Sequence, residues 1–244
     1  MPGMRTEPPG PSNPPQGGRR AQLMAAAIGV LPLYWALVVL QIRGGQVVSL
    51  GGFVFYLAVI SPLSIAVVLL LLRFLCGESP RHLNLRSGTL PKDLLATLIL
   101  SIVIVVASVA STYFLSRLMP GSASNPSVSD LFRRLGSNPR LLGLFIGPLV
   151  FLGAASEEVV RAFLLSRLWK VRPSPAGKSV AVAVSAALFG LIHMYQGPVH
   201  AVWTGILGLI MALYYVRFGR VLPLVLAHYV TNALQIAVFA ANSS

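Results

Sequence analysis

Residues 94–115, LLATLILSIVIVVASVASTYFL, carry no charged side chain over 22 positions. About 20 apolar residues cross the hydrocarbon core of a bilayer as one α-helix, because each adds 1.5 Å of rise. The polar residues in the stretch are Ser, Thr and Tyr, and nothing alternates with period two, so a barrel strand does not account for it. Pro91 stands just before it, where a missing N–H costs a helix little.

Working outward, Ala21–Ile42 and Phe53–Leu72 are similar stretches on the N-terminal side. The first is too long for the apolar region of a usual signal peptide and reads as a retained span. On the C-terminal side a fourth span starts at Leu141, is interrupted by Pro148, and runs into Ser156, Glu157, Glu158, Arg161 and FLLSRLW. Ser179–Met194, Val199–Tyr215 and Val221–Ala241 follow. The expected fold is all-α, a polytopic transmembrane helix bundle of about seven spans over residues 21–244. Residues 1–20 are dominated by Pro, Gly and polar groups and are expected to form a disordered tail.

Composition agrees with this reading. Of 244 residues, 55% are apolar and 10% charged, with a mean hydropathy of +0.77, whereas soluble domains carry about 25% charge. The net charge of +13 would suit nucleic acid only if the cations clustered. Instead they sit in the short segments between spans, so the expected partner is the bilayer and no nucleic acid. With the N-terminus inside, 13 Lys and Arg fall on the cytoplasmic side and five on the other, which suits a multi-pass plasma-membrane protein with a cytoplasmic N-terminus. The Arg-, Ala- and Pro-rich composition and short loops suit a bacterial source. Cys76 is the single cysteine, so no disulfide forms within the chain.

Only six residues are acidic, and Glu157 and Glu158 lie side by side in an apolar helix. An ionisable group at membrane depth costs a few kcal/mol on insertion scales, about 2.5–3.5, so such a group marks a candidate site. Arg161 stands four and three residues on, within reach of both carboxylates. An ion cluster at the helix end is the bland alternative. Phe189 and His193 share a helix face at i, i+4, as do His228 and Asn232. One buried histidine is commonly a packing residue; two, with two glutamates and an amide, are harder to explain that way.

At these residues the chain resembles the CAAX protease (CPBP, or Abi) family of intramembrane proteases, which includes the type II CAAX prenyl endopeptidases. That family carries E-E-x-x-x-R, F-x-x-x-H and H-x-x-x-N on helices, in this order. Here FGLIH (189–193) and HYVTN (228–232) match in full, while EEVVR (157–161) is one residue shorter. If the glutamate pair sets the register, Glu157 takes the first position; if Arg161 sets it, Ser156 does. The resemblance covers about residues 141–241. It implies a membrane endopeptidase and, in the eukaryotic members, removal of the last three residues of prenylated C-a-a-X proteins.

Peptide hydrolysis needs a base for water and donors for the oxyanion. Glu157 is the candidate base, with Glu158 the other possibility. His193 positions the water and passes the proton to the leaving amine, His228 and Asn232 meet the oxyanion, and Arg161 and Phe189 orient these groups. No cofactor is expected. Zinc held by Glu157, His193 and His228 is the alternative use of the same donors, although no H-E-x-x-H is present. The expected substrate is a membrane-associated peptide or protein. A proton- or ion-coupled transporter and a non-catalytic scaffold or immunity protein are the competing readings.

Overall fold

The computed structural model describes residues 18–44, 49–84, 89–120 and 126–241, and among these there is no strand. Residues 1–17 of the expected tail lie outside the described residues. Eight helices follow one another: α1 (Arg19–Gly44), α2 (Leu50–Leu75), α3 (Leu90–Leu118), α4 (Pro126–Gly136), α5 (Pro139–Val171), α6 (Pro175–Ile192), α7 (Pro198–Phe218) and α8 (Leu222–Ala241). Six of them, α2, α3 and α5 to α8, are long and apolar enough to cross a membrane. The first expected span falls on α1, so the all-α membrane bundle of about seven spans holds.

Proline opens most of these helices. Pro91, Pro126, Pro139, Pro175, Pro198 and Pro223 all lie in a first turn, where backbone donors have no intrahelical partner. Asn138 and Ser174 cap α5 and α6 by accepting from the Leu141 and Gly177 amides, at 3.1 Å each. Gly219, at φ +64°, closes α7 in the left-handed region that glycine tolerates best. Inside the spans, Pro62 and Pro148 cannot donate to the ladder. The helix widens to π turns beside them, at Tyr56–Ile60 in α2 and Phe145–Leu149 in α5, and Phe53 and Phe145 stack between the two at 5.6 Å.

Helix α5 is the centre of the bundle. From Glu158 to Leu165 every side chain is buried, because α1, α2, α6 and α8 surround it. Helices α6 and α7 form a tight hairpin: a Cβ on Gly190 would lie 2.6 Å from the Ala201 carbonyl, so backbones meet where only glycine fits. Helix α3 is peripheral. It packs Leu100 and Ile104 inward and leaves Leu94, Leu98, Ile102, Val106 and Val109 exposed, the surface expected toward lipid.

Helix α4 was not expected. It carries Val128, Leu131, Phe132 and Leu135 on one face, buries Leu131 and Leu135, and stacks Phe132 on Phe239 of α8 at 5.5 Å. Polar linkages gather at the opposite end of the bundle. Arg167 of α5 binds Gln22 of α1 at 3.0 Å and Glu78, just past α2, at 2.8 and 2.7 Å; Lys170 also binds Glu78. Lys178 lies over the Trp169 ring at 4.0 Å, and Arg220 pairs with the buried Asp93. Burial by itself would push the Glu78 carboxyl up, but the hydrogen bonds and charges of Arg167 and Lys170 outweigh it and hold the group down at about 2.

Candidate active site

Glu157 lies 14 residues before the end of α5 and 18 after its start, about 21 Å and 27 Å along the axis. The glutamate pair is thus deep within the bundle, away from the helix end. Adjacent residues on a helix point about 100° apart, so the two carboxylates meet different surroundings.

Glu158 has 0% exposed surface and is fully engaged. Arg161 grips it bidentately, Nε to Oε2 at 2.9 Å and Nη2 to Oε1 at 3.1 Å, and His228 Nδ1 lies 2.9 Å from Oε1. A carboxylate paired with a guanidinium only accepts, so the Nδ1 of His228 carries the proton. Arg161 was expected to reach both glutamates; it reaches Glu158 alone. Its third nitrogen donates to the Gly208 carbonyl at 3.3 Å, and the guanidinium lies 4.1 Å above the Phe189 ring. A Cβ on Gly208 would stand 3.0 Å from Phe189 and 3.2 Å from Arg161 Nη1, so this glycine makes the room both need.

Glu157 is far less saturated, with 11% of its side chain exposed. Tyr56 of α2 donates its hydroxyl to Oε1 at 3.3 Å, and Oε2 faces His228 Nε2 at 3.6 Å, beyond a direct hydrogen bond. Glu157, Val160, Arg161 and Leu164 line a narrow cleft with room for about one water molecule. Leu33 and Tyr34 of α1 stand on one side, Ser185, Phe189 and Ile192 of α6 on the other.

His193 was placed within the fifth span; it caps α6 instead, at φ −93° and ψ 7°. Its Nδ1 lies 2.7 Å from the Phe189 carbonyl and the two rings are 4.6 Å apart, so the i, i+4 pairing holds in space. A carbonyl accepts, which makes Nδ1 the donor and leaves Nε2 free of its proton in the neutral ring. Phe189 also meets His228 edge-on at 5.9 Å. Asn232 lies one turn beyond His228, half-buried, with no hydrogen-bond partner among the described residues.

The five residues singled out as chemical therefore belong to α5, α8 and the end of α6, and the orienting Arg161 and Phe189 stand among them. Tyr56, Tyr34 and the Gly208 carbonyl escaped the sequence reading. Tyr56 is 101 residues from Glu157, and a phenol in an apolar span is indistinguishable from an interfacial aromatic until the helices pack. For the zinc alternative, no three His, Cys, Asp or Glu side chains among the described residues stand together as a metal shell. Of its donors, His228 and His193 are each held through Nδ1, to Glu158 and to the Phe189 carbonyl, and each keeps Nε2 out of those bonds.

Residues 139–234 match the family model described as Type II CAAX prenyl endopeptidase Rce1-like. No curated protein and no solved structure shows significant similarity to the chain. The matched stretch runs from the start of α5 into α8 and holds Glu157, Glu158, Arg161, Phe189, His193, His228 and Asn232. The chain is an integral membrane protein whose segment 139–234 is similar to the Rce1-like type II CAAX prenyl endopeptidases.

Proposed function

We propose that this protein is an intramembrane endopeptidase that hydrolyses a peptide bond of a membrane-associated peptide or protein by water activated at Glu157, without a metal. The observation that carries the reading is the division of labour between the two glutamates. Glu158 spends its charge on Arg161 and His228, whereas Glu157 keeps Oε2 out of any direct hydrogen bond and lines the cleft.

Water held at Glu157 gives up a proton as its oxygen attacks the scissile carbonyl. Glu157 takes that proton; His193 Nε2, held by the Nδ1–H bond to Phe189, helps to place the water, then accepts the proton from Glu157 and delivers it to the leaving amine. Charge then develops on the carbonyl oxygen. When the His228 ring is doubly protonated, Nδ1–H remains on Glu158 and Nε2–H is left for the oxyanion, as in any histidine steadied by a buried carboxylate. Asn232, whose amide has no hydrogen-bond partner among the described residues, is the second donor. The Glu158–Arg161 pair acts as a fixed frame for His228, and Phe189 wedges between Arg161 and both histidines. The basic end of the bundle faces the cytoplasm in this reading, following the distribution of Lys and Arg.

The test is cleavage of a peptide library, prenylated and unprenylated, by purified protein in detergent. Wild type should cleave, Glu157→Gln, His193→Ala and His228→Ala should each lose at least about 100-fold in turnover, and chelators should change nothing. Equal turnover by wild type and all three variants would end the protease reading. Stoichiometric zinc together with reversible loss on chelation would end the metal-free mechanism.

A further inference from the structure

The Rce1-like segment begins at residue 139, yet the carboxylate proposed as base is touched by a residue of α2. Tyr56 is 2% exposed and its hydroxyl donates to Glu157 Oε1. It opens the π turn Tyr56–Ile60, a widened turn of the sort that concentrates at functional sites. Two features hold the turn where it is. Pro62 cannot donate to the carbonyl four residues back, and the Ser61 hydroxyl donates to the Tyr56 carbonyl at 3.2 Å. The neighbouring Phe53 stacks on Phe145 of α5, so α2 is registered against the helix that carries Glu157.

Resting on the proposed role of Glu157, we infer that Tyr56 is a positioning residue for that carboxylate, so that the site is assembled from both halves of the chain. The geometry gives it a defined task. A glutamate has three side-chain torsions, and without a donor on one oxygen the carboxylate could swing so that neither oxygen faced His228. With Oε1 held by Tyr56, Oε2 is the oxygen presented toward His228 Nε2. A base misplaced by about 1 Å loses on the order of 100-fold in rate, so a single phenolic O–H can matter this much without touching substrate.

The experiment is a double-mutant cycle on purified full-length protein. Tyr56→Phe keeps the ring and removes only the donor; it should lower kcat by about 10- to 100-fold with KM unchanged and leave the thermal midpoint within a few degrees. In a Glu157→Asp background, whose shorter side chain withdraws the carboxylate from the hydroxyl, the same Tyr56→Phe change should cost less than about twofold. A purely structural role would cost the same in both backgrounds and would overturn the inference, as would full activity of Tyr56→Phe in the wild-type background. If Glu157→Gln is itself fully active, the reading of Glu157 as base fails instead, so the two failures are told apart.

Discussion

Arg161 and Arg167 stand six residues apart on α5, and each is buried against a glutamate, yet they serve different ends. Arg161 closes a local pair with Glu158, three residues before it, and the pair carries a histidine that faces the cleft. Arg167 closes a pair with Glu78, 89 residues away, and with Gln22 of α1. The second cluster ties three elements together at the end of the bundle and presents nothing toward Glu157. Buried ion pairs in one helix are thus of two kinds, one framing a reactive group and one fastening helices. Removing a partner should separate them.

The largest effect is expected from Arg161→Met, which strands the fully buried Glu158 without its cation. Unfolding in detergent should show a loss of about 3–5 kcal/mol, and peptide turnover should vanish with it. Glu78→Gln strands Arg167, but Gln22 and Ser166 still accept from that guanidinium, so about 2–3 kcal/mol is expected. Here turnover by the folded protein should stay within twofold of wild type. Loss of turnover without unfolding would erase the proposed distinction.

The same cluster has a pH signature. The Glu78 carboxyl is held down at about 2 from its ordinary 4.5. A carboxyl with a depressed folded value stabilises fully above its unfolded value, and that contribution is lost as pH falls from about 4.5 toward 2. Thermal midpoints of wild type should therefore fall through this window, and Glu78→Gln should lack that part of the decline.

How much of this was legible in the sequence follows from chain separation. That Arg161 would meet a glutamate was visible because i, i+3 and i, i+4 neighbours on a helix lie within reach, but that Glu158 alone would take it was not. The spans were visible because lipid demands long apolar runs. Glu78 with Arg167, and Tyr56 with Glu157, were not, since the contact depends on how helices far apart in the chain settle against one another. Helix α4 was missed for a different reason. Its apolar residues at 128, 131, 132 and 135 have helical spacing, but Gly, Ser, Asn and Pro on both sides made the segment read as a loop. The end of α6 at His193 is not legible in the sequence, because periodicity alone does not locate the break that Gly197 marks at φ +111°.

Two smaller effects sharpen the comparison. Gly208→Ala should cost about 1–3 kcal/mol by crowding Phe189 and Arg161, and turnover should fall beyond what the unfolded fraction explains, because the frame itself shifts. Asn232→Ala should leave stability within about 0.5 kcal/mol, since the amide has no partner among the described residues, while turnover drops about 100-fold. A stability loss without a turnover loss would make Asn232 a packing residue.

The central claim, that Glu157 activates water and does not itself attack the substrate, is tested most directly by single-turnover cleavage in H₂¹⁸O. With enzyme in excess over a cleavable peptide, the account predicts one ¹⁸O in the new carboxylate of the first product formed and none in Glu157. Unlabelled first-turnover product together with ¹⁸O in the Glu157 side chain would contradict it.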